Sequence, residues 1–374
     1  MAVLKSEVIY EDLKNRICAG EFNQTLKLPS EKVLSEYYGC SRPTLRKALK
    51  TLEMQKIITR RQGAGSFITS SGQKLSQKKN VKREQSSLFG IIFPSLGDNY
   101  VFDSICGEVT RILAQENCSL VWGGTVIPSS VTLFEDVIQI CAKYIELKVE
   151  GVFFCPIEYT SLRDEVNTYV LETFAAAQIP LVLIDSDIVD FPERTAHDLV
   201  SLDHMKASYI VTKHMIDQNV RNIHFLSPPA SARTIKLRQI GYREALYDAG
   251  ISIQSERIHE GSPHDISFVK NILAMGAQGI VCSNDGTAVT LLHSLHTLGV
   301  QVPQDMVVAG FDNLSYLSQI RTPLTSILQP IELISREAVQ LMISRITQPS
   351  RPTRAVRFPG VLIVRCSTKF GGAV

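Results

Sequence analysis

The chain has 374 residues, of which 44% are hydrophobic and 20% are charged. That length and composition predict two or three domains with hydrophobic cores, and they exclude a disordered chain and a disulfide-stapled mini-protein. The formal charge is only +2, but it is unevenly divided, because residues 1–84 contain 17 Lys and Arg against 8 Asp and Glu. A basic end on an acidic body predicts a polyanion-binding domain at the N-terminal end.

The sequence also bears on compartment and redox state. The first residues contain no apolar segment typical of a secretion signal, and the longest apolar runs, at 151–155 and 179–184, fall short of the roughly 20 residues of a membrane-spanning helix. We therefore expect a cytoplasmic protein without a membrane partner. The eight cysteines are scattered singly, which predicts reduced, mostly buried thiols instead of disulfides or a metal site.

Composition and periodicity divide the chain into three segments: residues 1–70, a polar and basic linker at 71–87, and residues 88–374. The last segment alternates short apolar runs with amphipathic stretches, which predicts two doubly wound parallel sheets of the α/β class. The predicted strands lie at 88–93, 119–122, 151–155, 181–185, 223–226, 279–282 and 306–310. The predicted helical stretches include 105–113, 209–217, 241–249 and 288–298.

Residues 1–70 begin with three helical patterns. Apolar residues at 9, 13 and 17 recur every four positions and predict the buried stripe of a first helix. Ser30 is placed to cap a second helix that Gly39 ends, and Ser41 to cap a third. The third helix has apolar residues at 45, 48, 49 and 52, which leaves its basic and hydroxyl side chains pointing outward. Two such helices joined by a short turn are typical of a helix-turn-helix.

Two β-prone runs at 57–61 and 66–69 flank the turn Gln-Gly-Ala-Gly, which predicts a wing after the third helix. The strings Leu-Pro-Ser-Glu at 28–31, Ser-Arg-Pro-Thr-Leu-Arg-Lys-Ala-Leu at 41–49 and Arg-Arg-Gln-Gly-Ala-Gly-Ser-Phe at 60–67 follow in order. In these strings and their spacing, the segment resembles the GntR-type winged-helix domain over nearly all of residues 7–69.

This resemblance implies binding to double-stranded operator DNA. Side chains of the third helix would meet phosphates and base edges in the major groove, and Lys32 and the wing would reach the backbone or the minor groove. Basic residues on a surface helix are often only a solvated face, but helix spacing, wing and charge excess together favour DNA contact. The predicted DNA-binding residues are Lys32, Ser41, Arg42, Thr44, Arg46, Lys47, Arg61, Gly63 and Gly65.

The C-terminal segment carries seven short motifs, each weak alone. They are Asn-Tyr-Val-Phe at 99–102, Ile-Pro-Leu-Val-Leu-Ile-Asp at 179–185, Arg-Gln-Ile-Gly-Tyr at 238–242, Cys-Ser-Asn-Asp at 282–285, Gly-Phe-Asp-Asn at 310–313, and the runs 298–306 and 323–330. Together and in this order, they resemble the sugar-sensing core of the LacI/GalR repressors and the periplasmic sugar-binding proteins. The stretch 186–199 departs from that pattern because it is longer and more acidic than expected.

Ligands of such folds bind between two lobes, at the carboxyl ends of the strands. The resemblance implies that polar side chains at those ends hydrogen-bond a sugar and that Phe102 packs on its ring. Alternatively, Asp185 and Asp312 are strand-end caps, Asn284 is a helix cap and Phe102 belongs to the core. The predicted ligand-binding residues are Asn99, Phe102, Asp185, Arg238, Asn284, Asp312 and Gln329.

Three further residues are assigned structural roles: Asp203 is expected to be a helix N-cap, and His197 and His204 surface or structural residues. Enzyme motifs are absent from the sequence, so we expect no catalytic residue, no metal and no cofactor. Together, the two resemblances imply a homodimeric transcription regulator, a repressor, whose operator binding is controlled by a monosaccharide. Arabinose and fucose are the first candidates, since the architecture resembles the arabinose-responsive repressors. The alternatives are a sugar-binding transport protein and an α/β enzyme acting on a sugar.

Overall fold

The computed structural model describes residues 5–18, 22, 26–61, 65–70, 87–97, 99–229 and 231–369. The chain divides into two compact units, Met1–Gln85 and Ser86–Val374. The predicted linker at 71–87 lies outside the described residues except for Ser87, which already begins a strand. Within these ranges, no helix has both the length and the apolar character needed to cross a bilayer.

The described part of the first unit contains three helices and one hairpin. These are α1 Lys5–Cys18, α2 Glu31–Tyr37, α3 Arg42–Met54, β1 Ile58–Arg61 and β2 Gly65–Ile68. The apolar stripe of α1 packs against α3 in one core, where the predicted inner face at positions 45, 48, 49 and 52 is fully buried. Both predicted caps are confirmed, since Ser30 Oγ accepts from Val33 N and Ser41 Oγ from Thr44 N.

The second unit contains two six-stranded sheets, and helices pack on both faces of each sheet. The first lobe comprises β3 Ser87–Ile92, α4 Tyr100–Gln115, β4 Cys118–Trp122, α5 Leu133–Glu146, β5 Gly151–Phe154, α6 Arg163–Ala176, β6 Leu181–Ile184, β7 Asp198–Leu202, α11 Ile331–Thr347 and β13 Ala355–Phe358. The second lobe comprises α7 His204–Asp217, β8 Ile223–Ser227, α8 Arg233–Asp248, β9 Ile258–Glu260, α9 Ile266–Ala274, β10 Gly279–Cys282, α10 Asp285–Thr297, β11 Val307–Asp312, β12 Thr325–Leu328 and β14 Val361–Ile363.

Strand order explains how the chain builds a cleft. The first sheet has the order β13-β7-β6-β5-β3-β4 and is parallel throughout, and the second has the order β14-β12-β11-β10-β8-β9 with only β14 antiparallel. Strands β5, β6 and β10 are buried along their whole length, because helices cover both faces of the sheets. The chain passes between the lobes after β7, after β12 and after β13, so the carboxyl ends of the central strands border the space between them.

The seven predicted strands are confirmed, with ends shifted by two residues or fewer. Five short strands were not predicted: β7, β9, β12, β13 and β14. Strand β7 begins at Asp198, within the acidic stretch 186–199 that departs from the family pattern. That carboxylate is buried in the sheet and lies 3.0 Å from Arg345 Nε and 2.8 Å from Arg351 Nη2, so its charge does not force it to the surface.

Asp203 is confirmed as the N-cap of α7, since its Oδ1 accepts from Lys206 N at 3.0 Å. Of the two roles expected for His204, the structural one holds and the surface one does not, because its ring is only 1% exposed. His197 is partly buried. The seven cysteines whose side chains the structure describes are free thiols, but only three are buried and Cys366 is exposed, so the expectation of mostly buried thiols is wrong.

Candidate DNA-binding surface and ligand cleft

Helix α3 presents a polar side at the surface of the first unit. Arg42, Arg46 and Lys47 are exposed, because the apolar positions between them turn into the core. Thr44 is partly buried, and its Oγ1 lies 2.8 Å from Ser41 Oγ. Ser41 and Thr44 therefore stabilise the N-terminal end of α3. The basic side chains lie in the first two turns of the helix.

One carboxylate organises two of the surface arginines. Arg46 Nε donates to Glu31 Oε2 at 2.9 Å, and Arg60 Nη2 donates to Glu31 Oε1. These contacts, the bond from Arg46 foremost, hold the pKa of Glu31 below its ordinary value. The side chain of Arg46 stays 60% exposed, so the pair orients the arginine without covering it. Lys32, the next residue along α2, is also exposed.

The hairpin β1–β2 carries the described part of the predicted wing. The Arg61 guanidinium lies 5.2 Å from the centre of the Phe67 ring, a cation–π contact between the two strands of the hairpin. Gly65 has a φ of +108°, a conformation that residues with a Cβ rarely adopt. Gly63 lies outside the described residues, so its predicted role stays a prediction.

All seven predicted ligand-binding residues line one cavity of about 150 Å³ between the lobes. Asn99 and Phe102 come from the start of α4 and Asp185 from the end of β6, whereas Arg238, Asn284, Asp312 and Gln329 come from the second lobe. The structure brings them together because parallel strands place their carboxyl ends at one edge. Sites for drug-sized ligands measure about 300–1,000 Å³, so this cavity suits a smaller molecule.

Arg238 is the centre of the polar lining. Its Nη1 donates to the carbonyl of Ser283, and its guanidinium lies 4.4 Å from the centre of the Phe311 ring. Asp312 Oδ1 lies 4.0 Å from Arg238 Nη2 and accepts a hydrogen bond of 2.7 Å from Gln329 Nε2. The side chains of Arg238 and Gln329 are buried, so these contacts fix the direction of the groups that face the cavity.

His204 connects Arg238 to the first lobe. Its Nδ1 accepts from Arg238 Nε at 3.3 Å, and its Nε2 lies 3.3 Å from Asp185 Oδ1. Burial lowers the pKa of His204, so the ring is neutral near pH 7. Burial alone would raise the pKa of Asp185, but His204 and Arg238 outweigh that effect and keep it below its ordinary value. Asp185 is thus an ionised acceptor.

A second buried carboxylate stands behind Asp312. Asp285 accepts from Ser326 Oγ and from Leu314 N. Burial raises the pKa of Asp285 and the like charge of Asp312 raises it further, while burial also raises the pKa of Asp312 itself. The cleft wall therefore contains carboxyl groups that gain a proton more readily than solvent-exposed ones do.

The structural roles considered for Asn284 and Phe102 are both observed, although both residues also line the cavity, and Asn99 has a capping role that was not expected. Asn284 Oδ1 accepts from Thr287 N at 2.8 Å and caps α10, and Asn99 Oδ1 caps α4 in the same way. Within the described residues, the Nδ2 groups of both asparagines make no hydrogen bond. Phe102 packs into the apolar core of the first lobe and also reaches the cavity wall.

The structure adds Glu158 and Tyr159 to the cleft lining. Glu158 is 5% exposed, and its Oε2 accepts no hydrogen bond within the described part of the chain, although Arg163 Nη1 lies 3.5 Å away. Both residues follow β5, just as Asp185 follows β6. Position after a buried strand was therefore the signal that could have found them.

Comparison with known proteins accounts for both units. Residues 5–68 match the bacterial regulatory proteins of the gntR family, and residues 212–368 match the periplasmic binding protein-like domain. The chain is a DNA-binding transcription regulator. Its resemblance to both groups is thereby confirmed, and neither a transport protein nor a sugar enzyme would account for the gntR-type unit.

The regulator is 25% identical over 379 residues to the arabinose metabolism transcriptional repressor of Halalkalibacterium halodurans, covering 97% of this chain and 96% of that one. Its fold is similar to that of a LacI family transcriptional regulator from Enterococcus faecium with bound ribose, with a TM-score of 0.60 and 20% identity over 75% of this chain and 98% of that chain. It is also similar to the regulator CelR in complex with cellobiose, with a TM-score of 0.65 and 18% identity over 91% of this chain and 100% of that chain.

Proposed function

We propose that the regulator is a repressor that binds operator DNA through α3 and the wing, and that releases it when a small uncharged sugar enters the cleft. The observation that carries the proposal is the convergence of seven separately predicted side chains on one cavity. The similar proteins named above, an arabinose metabolism repressor and two sugar-bound regulators, support the same effector class. Arabinose and fucose are the first sugars to test.

The charge of the cleft narrows the effector class. Of the three carboxylates that line the cavity, Glu158 is paired with Arg233, which leaves Asp185 and Asp312 against the single lining guanidinium of Arg238. Carboxylates accept hydrogen bonds from hydroxyl groups but repel anions. We therefore infer a neutral polyol, and expect phosphorylated sugars and sugar acids to bind poorly.

We also propose that the regulator works as a homodimer in the cytoplasm. Two copies would present two recognition helices to half-sites about 34–36 Å apart, or a multiple of that distance. The family resemblance favours pairing through the sensor units. Analytical ultracentrifugation of the full-length protein, with and without DNA, tests the oligomeric state.

A thermal-shift panel of monosaccharides tests the effector assignment, because a ligand that binds only the folded state raises the melting temperature. The panel pairs each neutral sugar with its phosphate, for example arabinose with arabinose 5-phosphate. We expect stabilisation by at least one neutral sugar and none by its phosphate. Stabilisation by the phosphates alone would refute the effector class.

Substitution of Arg46 tests the DNA-binding surface. The operator for this test is selected from random oligonucleotides. Arg46→Ala should weaken operator binding by about 1–3 kcal/mol while sugar binding is kept. Glu31 stays paired with Arg60 in that variant, so little folding stability is at stake. Lys50→Ala, an exposed cation farther along α3, is the matched control. Equal operator affinity in both variants would show that Arg46 does not contact DNA.

A further inference from the structure

Two cations at the start of α8 in the second lobe face carboxylates of the first lobe. Arg233 Nη1 lies 3.0 Å from Glu158 Oε1, and Arg233 Nη2 contacts Asp164 Oδ1. Arg233 Nε lies 3.5 Å from Asp190 Oδ1, and Lys236 Nζ lies 2.6 Å from Asp190 Oδ2. Arg233 and Glu158 are nearly buried, whereas Asp164, Asp190 and Lys236 are exposed. Each of these four ion pairs crosses from one lobe to the other.

The first turn of α8 has no negative charge of its own. Its N-cap Ala232 makes no side-chain hydrogen bond to the helix, and the turn contains no acidic residue. Cations near a helix N-terminus oppose the helix macrodipole, so Arg233 and Lys236 are unfavourably placed while the lobes are apart. The carboxylates of the first lobe supply the missing negative charge when the lobes meet.

Asp190 belongs to the acidic stretch that departs from the LacI/GalR pattern. Asp187 fixes the shape of that loop, because its Oδ1 accepts from Ile188 N at 2.8 Å and its Oδ2 from Thr195 N at 3.1 Å. Arg194 Nη2 also donates to the His197 carbonyl at 3.2 Å. The extra length is therefore folded on itself, and it holds Asp190 against the other lobe.

We propose that these ion pairs form an electrostatic clasp, defined by Glu158, Asp164, Asp190, Arg233 and Lys236, which holds the lobes closed over the bound effector. The proposal rests on the proposed effector function of the cleft. Glu158 lines the cavity as well as pairing with Arg233, so Arg233 is a positioning residue for the cleft wall.

The clasp predicts a dependence of sugar affinity on salt concentration that apolar packing between the lobes would not produce. Binding of an uncharged sugar has little intrinsic dependence on ionic strength, whereas ion pairs between exposed groups are screened by salt. Closure through the clasp therefore makes sugar affinity fall as salt rises. With like charges in place of the Asp190–Lys236 pair, screening removes a repulsion, and the affinity rises with salt instead.

Charge exchange tests the clasp. Asp190→Lys opposes Arg233 and Lys236 with a like charge, and adding Lys236→Asp restores one opposite pair. The matched control is the Lys213–Asp217 pair of α7, which is 2.8 Å long and similarly exposed but lies within one lobe. Its exchange, Lys213→Asp with Asp217→Lys, should leave the cleft unaffected.

Hydrogen exchange in the ligand-free full-length protein gives a readout that needs no sugar. We expect faster exchange at 186–197 and in the first turn of α8 for Asp190→Lys, partial recovery in the double variant, and no change in the control. Unchanged exchange in Asp190→Lys would overturn the clasp.

Calorimetry with the sugar from the monosaccharide panel gives the second readout. Asp190→Lys should bind it about threefold to tenfold more weakly at low salt, with partial rescue in the double variant. Between about 0.05 M and 1 M NaCl, the affinity should fall in the wild type and rise in Asp190→Lys. Salt slopes of the same sign would contradict the clasp. If exchange responds as expected but no sugar binds, the proposed effector fails and the clasp stands.

Discussion

Arg238 is the residue on which the cleft most depends, because one guanidinium meets His204, Ser283, Asp312 and Phe311. It gives the negative wall its only cation among the residues that line the cavity. A guanidinium offers five N–H donors in one plane, whereas the amide of Asn99, Asn284 or Gln329 offers two.

Arg238→Ala should weaken sugar binding by about 10-fold to 100-fold, the scale of a hydrogen bond to a charged group, and leave operator binding without sugar unchanged. Calorimetry measures the first quantity and fluorescence anisotropy the second. Arg243→Ala is the control, because Arg243 is exposed on the same helix. If Arg238→Ala bound sugar with wild-type affinity, the assignment of this cleft as the sugar-binding site would be wrong.

Buried His224 and partly buried His259 form a pair that lies away from the cleft. Their rings stack at 5.0 Å, with His224 Nδ1 2.7 Å from His259 Nε2. Asn222 donates its Nδ2 to two carbonyls, so its Oδ1 is the atom that accepts from His224 Nε2. Neutral His224 therefore carries its proton on Nε2, which leaves Nδ1 to accept from His259 Nε2.

Burial, with the charges of His259 and Arg257, lowers the pKa of His224 to about 4. The unfolded value is about 6.5, so the pair contributes stability above pH 6.5 and loses it as the pH falls toward 4. Between pH 7.5 and 5.0 this costs about 2 kcal/mol of unfolding free energy. In urea unfolding, the loss of unfolding free energy between pH 7.5 and 5.0 should be smaller in His224→Gln than in the wild type by that amount. An equal loss in both proteins would be evidence against the neutral pair.

Single residues show how far sequence reasoning reaches. Asp185, Asp312 and Asn284 were predictable because each follows a buried strand, and chain position alone brings such residues to one edge. The partners of Asp185 were not predictable, because His204 and Arg238 lie 19 and 53 positions away and no local pattern links them. Glu158 shared the strand-end signal and was still missed.

At the scale of elements, two of the strands that were not predicted, β7 and β12, contain polar residues that the fold buries. Strand β12 begins with Thr325 and Ser326, both fully buried, because Thr325 pairs with Thr368 and Ser326 with Asp285. Such a strand has no apolar run and no alternation, since its polar groups are satisfied by partners distant in sequence. Strand β7 was missed for the same reason, because Asp198 is neutralised by arginines about 150 positions away.

The packing of α7 on α8 depends on Gly241. A Cβ at this position would lie 1.9 Å from Met205 O and 3.0 Å from Tyr209 N, both backbone atoms of α7. Backbone atoms give way less easily than the end of a side chain. Gly241 therefore sets the distance between the two helices that carry His204 and Arg238.

Gly241→Ala should lower the unfolding free energy by about 1–3 kcal/mol, the cost of overpacking a core, and should also impair sugar binding. Gly107→Ala is the opposite case, because Gly107 lies within α4 and a Cβ there meets nothing within 4 Å. It should stabilise the protein by about 0.5–1 kcal/mol. Denaturant unfolding measures both, and the packing argument fails if both variants shift the midpoint in the same direction.

At the scale of the whole molecule, the charge is divided by function. The basic excess lies in the unit for which we propose DNA binding, and the acidic excess in the unit for which we propose effector binding. Phosphate contacts make DNA affinity fall with salt, whatever the operator sequence. The clasp makes sugar affinity fall with salt as well, so both ligands must be compared at one ionic strength.

The link between the two sites is a coupling free energy, and it is reciprocal. If the sugar weakens operator binding by a given factor, the operator must weaken sugar binding by the same factor, typically about 5-fold to 150-fold. Anisotropy titrations of operator with and without saturating sugar measure the first factor, and calorimetry of sugar with and without operator measures the second. Arg238→Ala should give a factor near one in the anisotropy titration, because it keeps the DNA-binding unit and loses the cleft. Because a closed thermodynamic cycle requires equal factors, unequal factors in the wild type would mean that a further equilibrium, such as dissociation of a dimer, takes part. A factor of one in both would separate sugar binding from DNA release.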